Sequence, residues 1–400
     1  MTLKEYFPGV PIISYEGSYT SHPFSFKFYE PERIVAGKPM REHLRFSLPF
    51  GAAARFGLEG SDCLLATMEL LHKLGLQYYC VSDRALAEEG GSLRESHARL
   101  DGAAEILLYL QKAYALRAMQ LSVDFSGHPR YTYGAATSYS ADIFAFAAAQ
   151  AKKALETAHR LRALQFCFPG GQERREGFYP SVNDALETDN LARLLRLLEE
   201  YARQLGFAGS LAVRPGTGQD AYWPGAAQAL AFLRWAGLES YRVDLPGGAP
   251  SCDLRALLQA DRLGSLAACP SDGFFAAAAS ALFELLCFGG LRAGGILLDV
   301  PLRGCAAPED YAIGCIMVMD AYAYGLLAAH RILLDGRVEQ FRRERYSGFA
   351  YGIGKAVLDG RADLALLETH VLQKGDLQAY TGRAEYLENV LQGLLYRGAM

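Results

Sequence analysis

The chain has 400 residues, 51% hydrophobic and 21% charged, with a formal net charge of -4. That length allows two or three domains or one large barrel, and the apolar content excludes disordered and fibrous classes. The near-neutral charge carries no basic footprint for nucleic acid, so no nucleic-acid partner is expected.

In chain order, Met1 to Val10 has no apolar core of the kind a secretory signal needs. The longest apolar run, near Phe274–Phe288, is broken by Glu284 and falls short of the ~20 residues of a membrane span. A soluble cytoplasmic protein with no membrane partner is the expectation. Eight short apolar runs then recur: His43–Phe50, Tyr78–Asp83, Met119–Phe125, Ala163–Phe168, Ser210–Pro215, Tyr241–Pro246, Ser265–Pro270 and Gly294–Pro301. Each is too short for a helix and is bounded by Gly, Pro or polar residues, as a buried parallel strand is.

Helical patterns fill the spaces between the runs. Ser61 or Asp62 is expected to cap a helix with the face Leu64, Met68, Leu71 and Leu74, ending at Gly75. Thr188 and Asp189 precede the face Leu191, Leu194, Leu195, Leu198 and Tyr201, and Asp253 is placed to cap Leu254–Leu263 before Gly264. Strand and helix alternating eight times predicts an α/β fold, a (β/α)8 barrel, with an open doubly wound sheet as the alternative. After Pro308 no strand follows. Residues 1–308 are read as the barrel with an N-terminal extension. Residues 309–400 are read as its last helix and a helical arm that covers another subunit.

The eight cysteines, Cys63, Cys80, Cys167, Cys252, Cys269, Cys287, Cys305 and Cys315, form no CxxC pair and mostly sit in apolar runs, so buried free thiols are expected. The histidines show no HxH or HExxH spacing, and spacing alone offers no zinc site. In a barrel the chemistry sits at the strand C-terminal ends. There lie Ser82, Asp83, Asp124, Pro169, Arg214, Asp244, Cys269, Pro270 and Asp299: four carboxylates and one guanidinium around one mouth. Weaker candidates are Gly352-Ile353-Gly354-Lys355, similar to a phosphate loop but without a following Ser or Thr, and the Arg214-Pro215-Gly216-Thr217-Gly218 loop. His43 and His128 are candidate acid–base groups, with a structural hydrogen bond the commoner role, and Trp223 and Trp235 are expected to pack.

Several segments resemble the xylose isomerase family. They are Tyr15-Glu16-Gly17-Ser18, Gly37-Lys38, His43-Leu44-Arg45-Phe46, Tyr79-Cys80, Glu89-Gly90, His128-Pro129-Arg130-Tyr131, Gly134-Ala135-Ala136-Thr137, Gly170-Gly171, Met319-Asp320-Ala321, Glu344-Arg345-Tyr346-Ser347-Gly348 and Leu387-Glu388-Asn389. The resemblance runs over nearly the whole chain. It implies a (β/α)8 TIM barrel with a C-terminal helical arm, in a dimer or tetramer, and aldose–ketose isomerisation on two Mg, Mn or Co ions. Two cations held by carboxylates polarise both sugar oxygens for the hydride shift.

The residues that this chemistry needs are mostly replaced. The family's His-Asp-x-Asp reads Ser82-Asp83-Arg84-Ala85, its Glu-Pro-Lys reads Arg214-Pro215-Gly216, and its Glu-Ala-Asn-His reads Asp244-Leu245-Pro246-Gly247. Its Asp-Ala-Asn reads Ala267-Ala268-Cys269, and the loop with a metal pair is shortened to Pro270–Phe274, with Asp272 its one carboxylate. Of the metal ligands only Asp299 stands unchanged. Hard divalent cations take about six oxygen ligands, which the vestigial ligands Asp244 and Asp299 cannot supply. No metal or other cofactor is therefore expected. The reading is a xylose isomerase-like protein without ordinary two-metal activity, a pseudoenzyme that binds a sugar or assembles with itself or an active relative. The degenerate catalytic positions are Ser82 and Asp83, and the ligand-binding candidates are Asp124, Arg214, Asp244 and Asp299. The alternative is an active isomerase, converting D-xylose to D-xylulose, or an epimerase, with a rebuilt site. Arg214 is expected to replace a metal by bridging Asp244 and Asp299.

Overall fold

The computed structural model describes residues 4–173, 184–216, 222–268, 274–301, 307–377 and 381–396. Eight parallel strands form a closed barrel: β1 (Phe46–Pro49), β2 (Tyr78–Ser82), β3 (Arg117–Ser122), β4 (Gln165–Phe168), β5 (Ser210–Val213), β6 (Arg242–Leu245), β7 (Leu263–Ala268) and β8 (Ile296–Leu298). The ladder closes where Ile296 and Leu297 of β8 face Phe46 and Ser47 of β1. Closure leaves no free strand edge and excludes the open doubly wound sheet. Each strand coincides with one of the apolar runs, although β3 and β7 begin two residues earlier than the runs do.

The surrounding helices are α1 (Gly60–Lys73), α2 (Leu93–Ala113), α3 (Ala141–Arg160), α4 (Asp184–Leu205), α5 (Ala226–Trp235), α6 (Ser251–Gln259), α7 (Phe274–Cys287) and α8 (Pro308–Asp335). Their apolar faces are buried as expected: Leu64, Met68 and Leu71 of α1 and Leu191, Leu194, Leu195 and Leu198 of α4 all belong to the core.

The expected helix starts are corrected at three helices. α1 begins after Glu59, without a side-chain cap. Asp62 lies in its first turn and accepts from the Tyr6 hydroxyl at 2.7 Å and from Lys4 at 3.0 Å. α4 already starts at Asp184, so Thr188 and Asp189 are inside it. α6 starts at Ser251 after Pro250, and Gly264 belongs to β7. Asp253 instead accepts from the Ala226 N–H at 3.2 Å, capping the neighbouring α5. A carboxylate near a helix start serves whichever open N–H it reaches, and here that group is on another helix.

α8 is long and apolar enough to cross a membrane, and 72% of its most apolar window is buried within the protein. It packs on α7 at Gly325, where an added Cβ would stand 2.9 Å from the Ala278 backbone. It also anchors the N-terminal extension. The Asp320 carboxylate accepts the backbone N–H groups of Lys27 at 2.8 Å, Phe28 at 2.9 Å and Tyr29 at 3.0 Å.

Gly336, at φ 73°, ends α8 and starts the arm. Among the described residues four α-helices follow: α9 (Arg337–Arg345), α10 (Gly352–Leu358), α11 (Leu364–Lys374) and α12 (Ala384–Tyr396). Among the arm's described residues only Gly354 and Leu394 are buried, while Leu364 is 84% and Leu372 77% exposed.

The thiols divide differently from expectation. Cys80, Cys167 and Cys315 are buried and Cys63 is half-buried, but Cys252, in the first turn of the outer helix α6, and Cys287, at the end of α7, are exposed. Cys269 and Cys305 lie outside the described residues.

Candidate functional site

The barrel interior carries a polar layer where such barrels ordinarily stack branched apolar side chains. Gln120 of β3, Gln165 of β4, Asp244 of β6 and Ser265 of β7 are all buried. The Asp244 Oδ1 accepts from Gln165 Nε2 at 2.5 Å and from the Ser265 N–H at 2.8 Å. Its Oδ2 accepts from Gln120 Nε2 at 2.6 Å and lies 3.5 Å from the Arg214 guanidinium, which follows β5. Arg214 Nη2 also donates to Gln120 Oε1, and Ser265 Oγ donates to Gln165 Oε1 at 2.9 Å.

A carboxylate has about four lone-pair positions, and each oxygen of Asp244 already meets two donors. Two glycines make room for the layer. An added Cβ at Gly264 would sit 2.4 Å from Asp244 Oδ1, and one at Gly294 2.3 Å from Ser265 Oγ. Burial works to lower the Arg214 pKa, but neighbouring groups, the Asp244 carboxylate among them, more than offset it, so the pKa is raised and the guanidinium stays charged. Burial pushes the Cys80 thiol up to about 11 and that of Cys167 well above its ordinary value, so neither is a thiolate at neutral pH.

A second group forms at the ends of β2 and β3. Asp83 follows β2 and is buried. Its Oδ1 accepts from the N–H groups of Arg84 at 2.9 Å and Asp124 at 2.8 Å, and its Oδ2 accepts from Gln150 Nε2 at 2.8 Å. Gln150 in turn accepts from the Tyr131 hydroxyl at 2.9 Å. Burial pushes the Asp83 carboxyl up to about 6, against the opposing pull of Gln150 and Arg84. Asp124 accepts from Ser126 N at 2.8 Å and from Gln172 Nε2 at 2.9 Å. Ser82 caps the short turn Asp83–Leu86, accepting from the Ala85 N–H at 3.1 Å.

The structure thus joins Arg214 to Asp244 and Asp83 to Asp124, and none of the described hydrogen bonds links the two pairs. The expected bridge from Arg214 to Asp299 is corrected. Asp299 follows β8, is exposed, and forms no ion pair among the described residues. It keeps its ladder position only through its backbone, donating to Ala268 O at 3.0 Å. Gln120, Gln150, Gln165 and Gln172 were not foreseen, although Gln120 and Gln165 stand out as polar residues inside apolar strands.

The remaining candidates are structural. His43 Nε2 lies 2.7 Å from Val35 O, and exposed His128 accepts at Nδ1 from Arg130 N at 3.1 Å. Trp223 is buried against Gly170, whereas Trp235 is 59% exposed. Gly354 lets α10 approach the Gly348 carbonyl, which an added Cβ would meet at 2.2 Å, and the Gly-x-Gly-Lys segment sits in the exposed arm. Thr217, Gly218 and the Cys269–Gly273 segment with Pro270 and Asp272 lie outside the described residues.

The family pattern described as XylA2 C-terminal domain matches residues 342–395, within the arm. The chain is 36% identical to a xylose isomerase of Geobacillus thermodenitrificans (strain NG80-2) over 435 residues, covering 98% of this chain and 97% of the relative. It is 34% identical to one of Thermotoga petrophila (strain RKU-1) over 441 residues, covering 99% of each. Both matches are longer than the 400 residues of this chain, so segments of the relatives have no counterpart in it. A solved L-ribulose 3-epimerase superposes with a TM-score of 0.55 at 14% identity, covering 72% of this chain and 96% of that one, a likeness of fold.

Proposed function

The chain belongs to the xylose isomerase family, and from that premise we propose that it is a pseudoenzyme member, one in which an internal ion pair stands in place of the two-metal centre. The observation that carries the reading is Asp244. Both of its oxygens are taken by Gln120, Gln165, Ser265 and Arg214.

The residues do not fit the two Mg, Mn or Co ions that the sequence resemblance implies. A cation would have to displace an arginine and two amides to reach Asp244, and among the described residues no three His, Cys, Asp or Glu side chains group as ligands. No catalytic step is therefore routed through a metal. What the mouth retains is hydrogen-bonding capacity suited to a sugar: the guanidinium of Arg214, its side chain 36% exposed, and the half-buried carboxylate of Asp124.

The arm supports the assembly half of the reading. Apolar side chains such as Leu364 and Leu372 gain by leaving water, and a second copy of this chain or an active relative offers the surface, giving a dimer or tetramer. Light scattering at micromolar concentration is expected to show such an oligomer, and a monomer contradicts it.

A second reading rests on Asp83, whose carboxyl, raised to about 6 at a strand end, suits general acid–base work. On that reading the protein is an isomerase or epimerase with a rebuilt site using Asp83, Asp124, Asp244 and Arg214. A panel of aldoses with added Mg, Mn or Co separates the two. The first reading expects no D-xylulose from D-xylose, with Arg214→Glu alone restoring nothing because Ser82 and Gly216 still lack the acid–base and orienting groups. Turnover of any aldose by the unaltered chain favours the second.

A further inference from the structure

A cavity of about 350 Å³ opens between the N-terminal extension and the last turns of α8. Its lining brings together Lys27, Arg33, His330 and Arg331, with Tyr15 and Ser18 beside them. Helices of such a barrel run back against its strands, so the end of α8 lies toward the face opposite the mouth. The pocket is separate from Arg214 and Asp83 and does not depend on the reading proposed for them.

The cations here outnumber the carboxylates that act on them, Asp320 on Lys27 and Glu30 on Arg33. Lys27, His330 and Arg331 form no ion pair among the described residues, and Arg33 reaches only Glu30, at 4.0 Å. The carboxylate of Asp320, which fixes the Lys27 segment to α8, is spent on the N–H groups of Lys27, Phe28 and Tyr29. The last turn of α8 holds no basic residue, and His330 and Arg331 stand before it, where the helix dipole favours cations only weakly. The dipole does not account for Lys27 and Arg33, which arrive from other segments. Like charges gathered on one cavity repel each other, in a chain whose net charge is -4.

We infer that this pocket binds a phosphate group, as free phosphate or as a phosphate monoester of a small molecule. Arg33 and Arg331 supply planar forks that match phosphate oxygens, Lys27 adds a compact charge, and Tyr15 and Ser18 add neutral donors. The floor of Phe28, Val35 and Leu327 leaves room beside the phosphate for a small organic part.

The test is calorimetric titration of the full chain with inorganic phosphate and with ribose 5-phosphate at about 0.02 M ionic strength, repeated at about 0.2 M. One phosphate per chain is expected, bound more weakly at the higher salt. Lys27→Gln with Arg331→Gln is expected to weaken it at least tenfold. Equal affinity for the two probes assigns the site to free phosphate, and tighter ribose 5-phosphate assigns it to a monoester; either supports the site. If the double variant does not fold, Lys27→Gln alone serves, since only the backbone of Lys27 holds the fold. No uptake of either probe, or uptake unchanged in a folded variant, overturns the inference. So does a shift of oligomeric state in the variant without phosphate uptake by the parent, which gives the pocket to carboxylates of a second copy.

Discussion

Asp244 and Asp83 are both buried carboxylates in one barrel, and they are balanced in opposite ways. Asp244 sits inside the polar layer with a guanidinium 3.5 Å away, so its charge is compensated where it lies. Asp83, at the end of β2, meets an amide side chain and two backbone N–H groups, and burial lifts its pKa to about 6. The same residue type is thus set opposite a guanidinium in one place and among neutral donors in the other. Arg214 stands within ion-pair distance of Asp244, whereas Arg84, beside Asp83, pairs with Glu89 at 3.6 Å.

Removing the compensation is the largest way to break this contrast. Arg214→Ala strands Asp244 among neutral donors and is expected to cost about 3 kcal/mol, the lower end for a broken buried pair, because the arginine is itself 36% exposed. Denaturant unfolding at pH 7 measures it, and an unchanged midpoint refutes the pairing.

The Asp83 side is sharpened by pH. A carboxyl raised from 3.8 to about 6 on folding contributes stability that is full below about pH 4 and is lost as pH rises through about 6. Asp83→Asn is expected to remove ~2–3 kcal/mol of that pH dependence, read as the difference between the two proteins' unfolding free energies at pH 4 and pH 7. Parallel curves for variant and parent mean that Asp83 does not titrate in this window.

The smallest expected effect concerns a carboxylate outside both groups. Asp253→Ala removes the cap from α5 and is expected to cost ~0.5–1 kcal/mol in thermal unfolding, with no change at the barrel mouth. A loss of several kcal/mol there would mean that Asp253 does more than cap.

The barrel was legible because each strand is a short apolar run closed by Gly, Pro or a charge, and a strand buried on both faces needs nothing else. Helix starts were less legible. Asp62 and Asp253 have the chemistry of caps, but their partners, Tyr6 with Lys4 and Ala226, lie far off in sequence. At the site, the meeting of Arg214 and Asp244 could be read from a cation standing at a family carboxylate position. Asp299 was misjudged because its unchanged identity carries no information on where its side chain points, which is to solvent. The amides of Gln120 and Gln165 complete the cage around Asp244, and only the folded barrel shows that four different strands bring those donors and acceptors together.

The most direct test of the exchange of metals for Arg214 is elemental analysis after the protein has been incubated with Mn2+ and dialysed. The account predicts no stoichiometric manganese retained by the chain, because Asp244 is already saturated by protein donors. Two manganese ions per chain would contradict it.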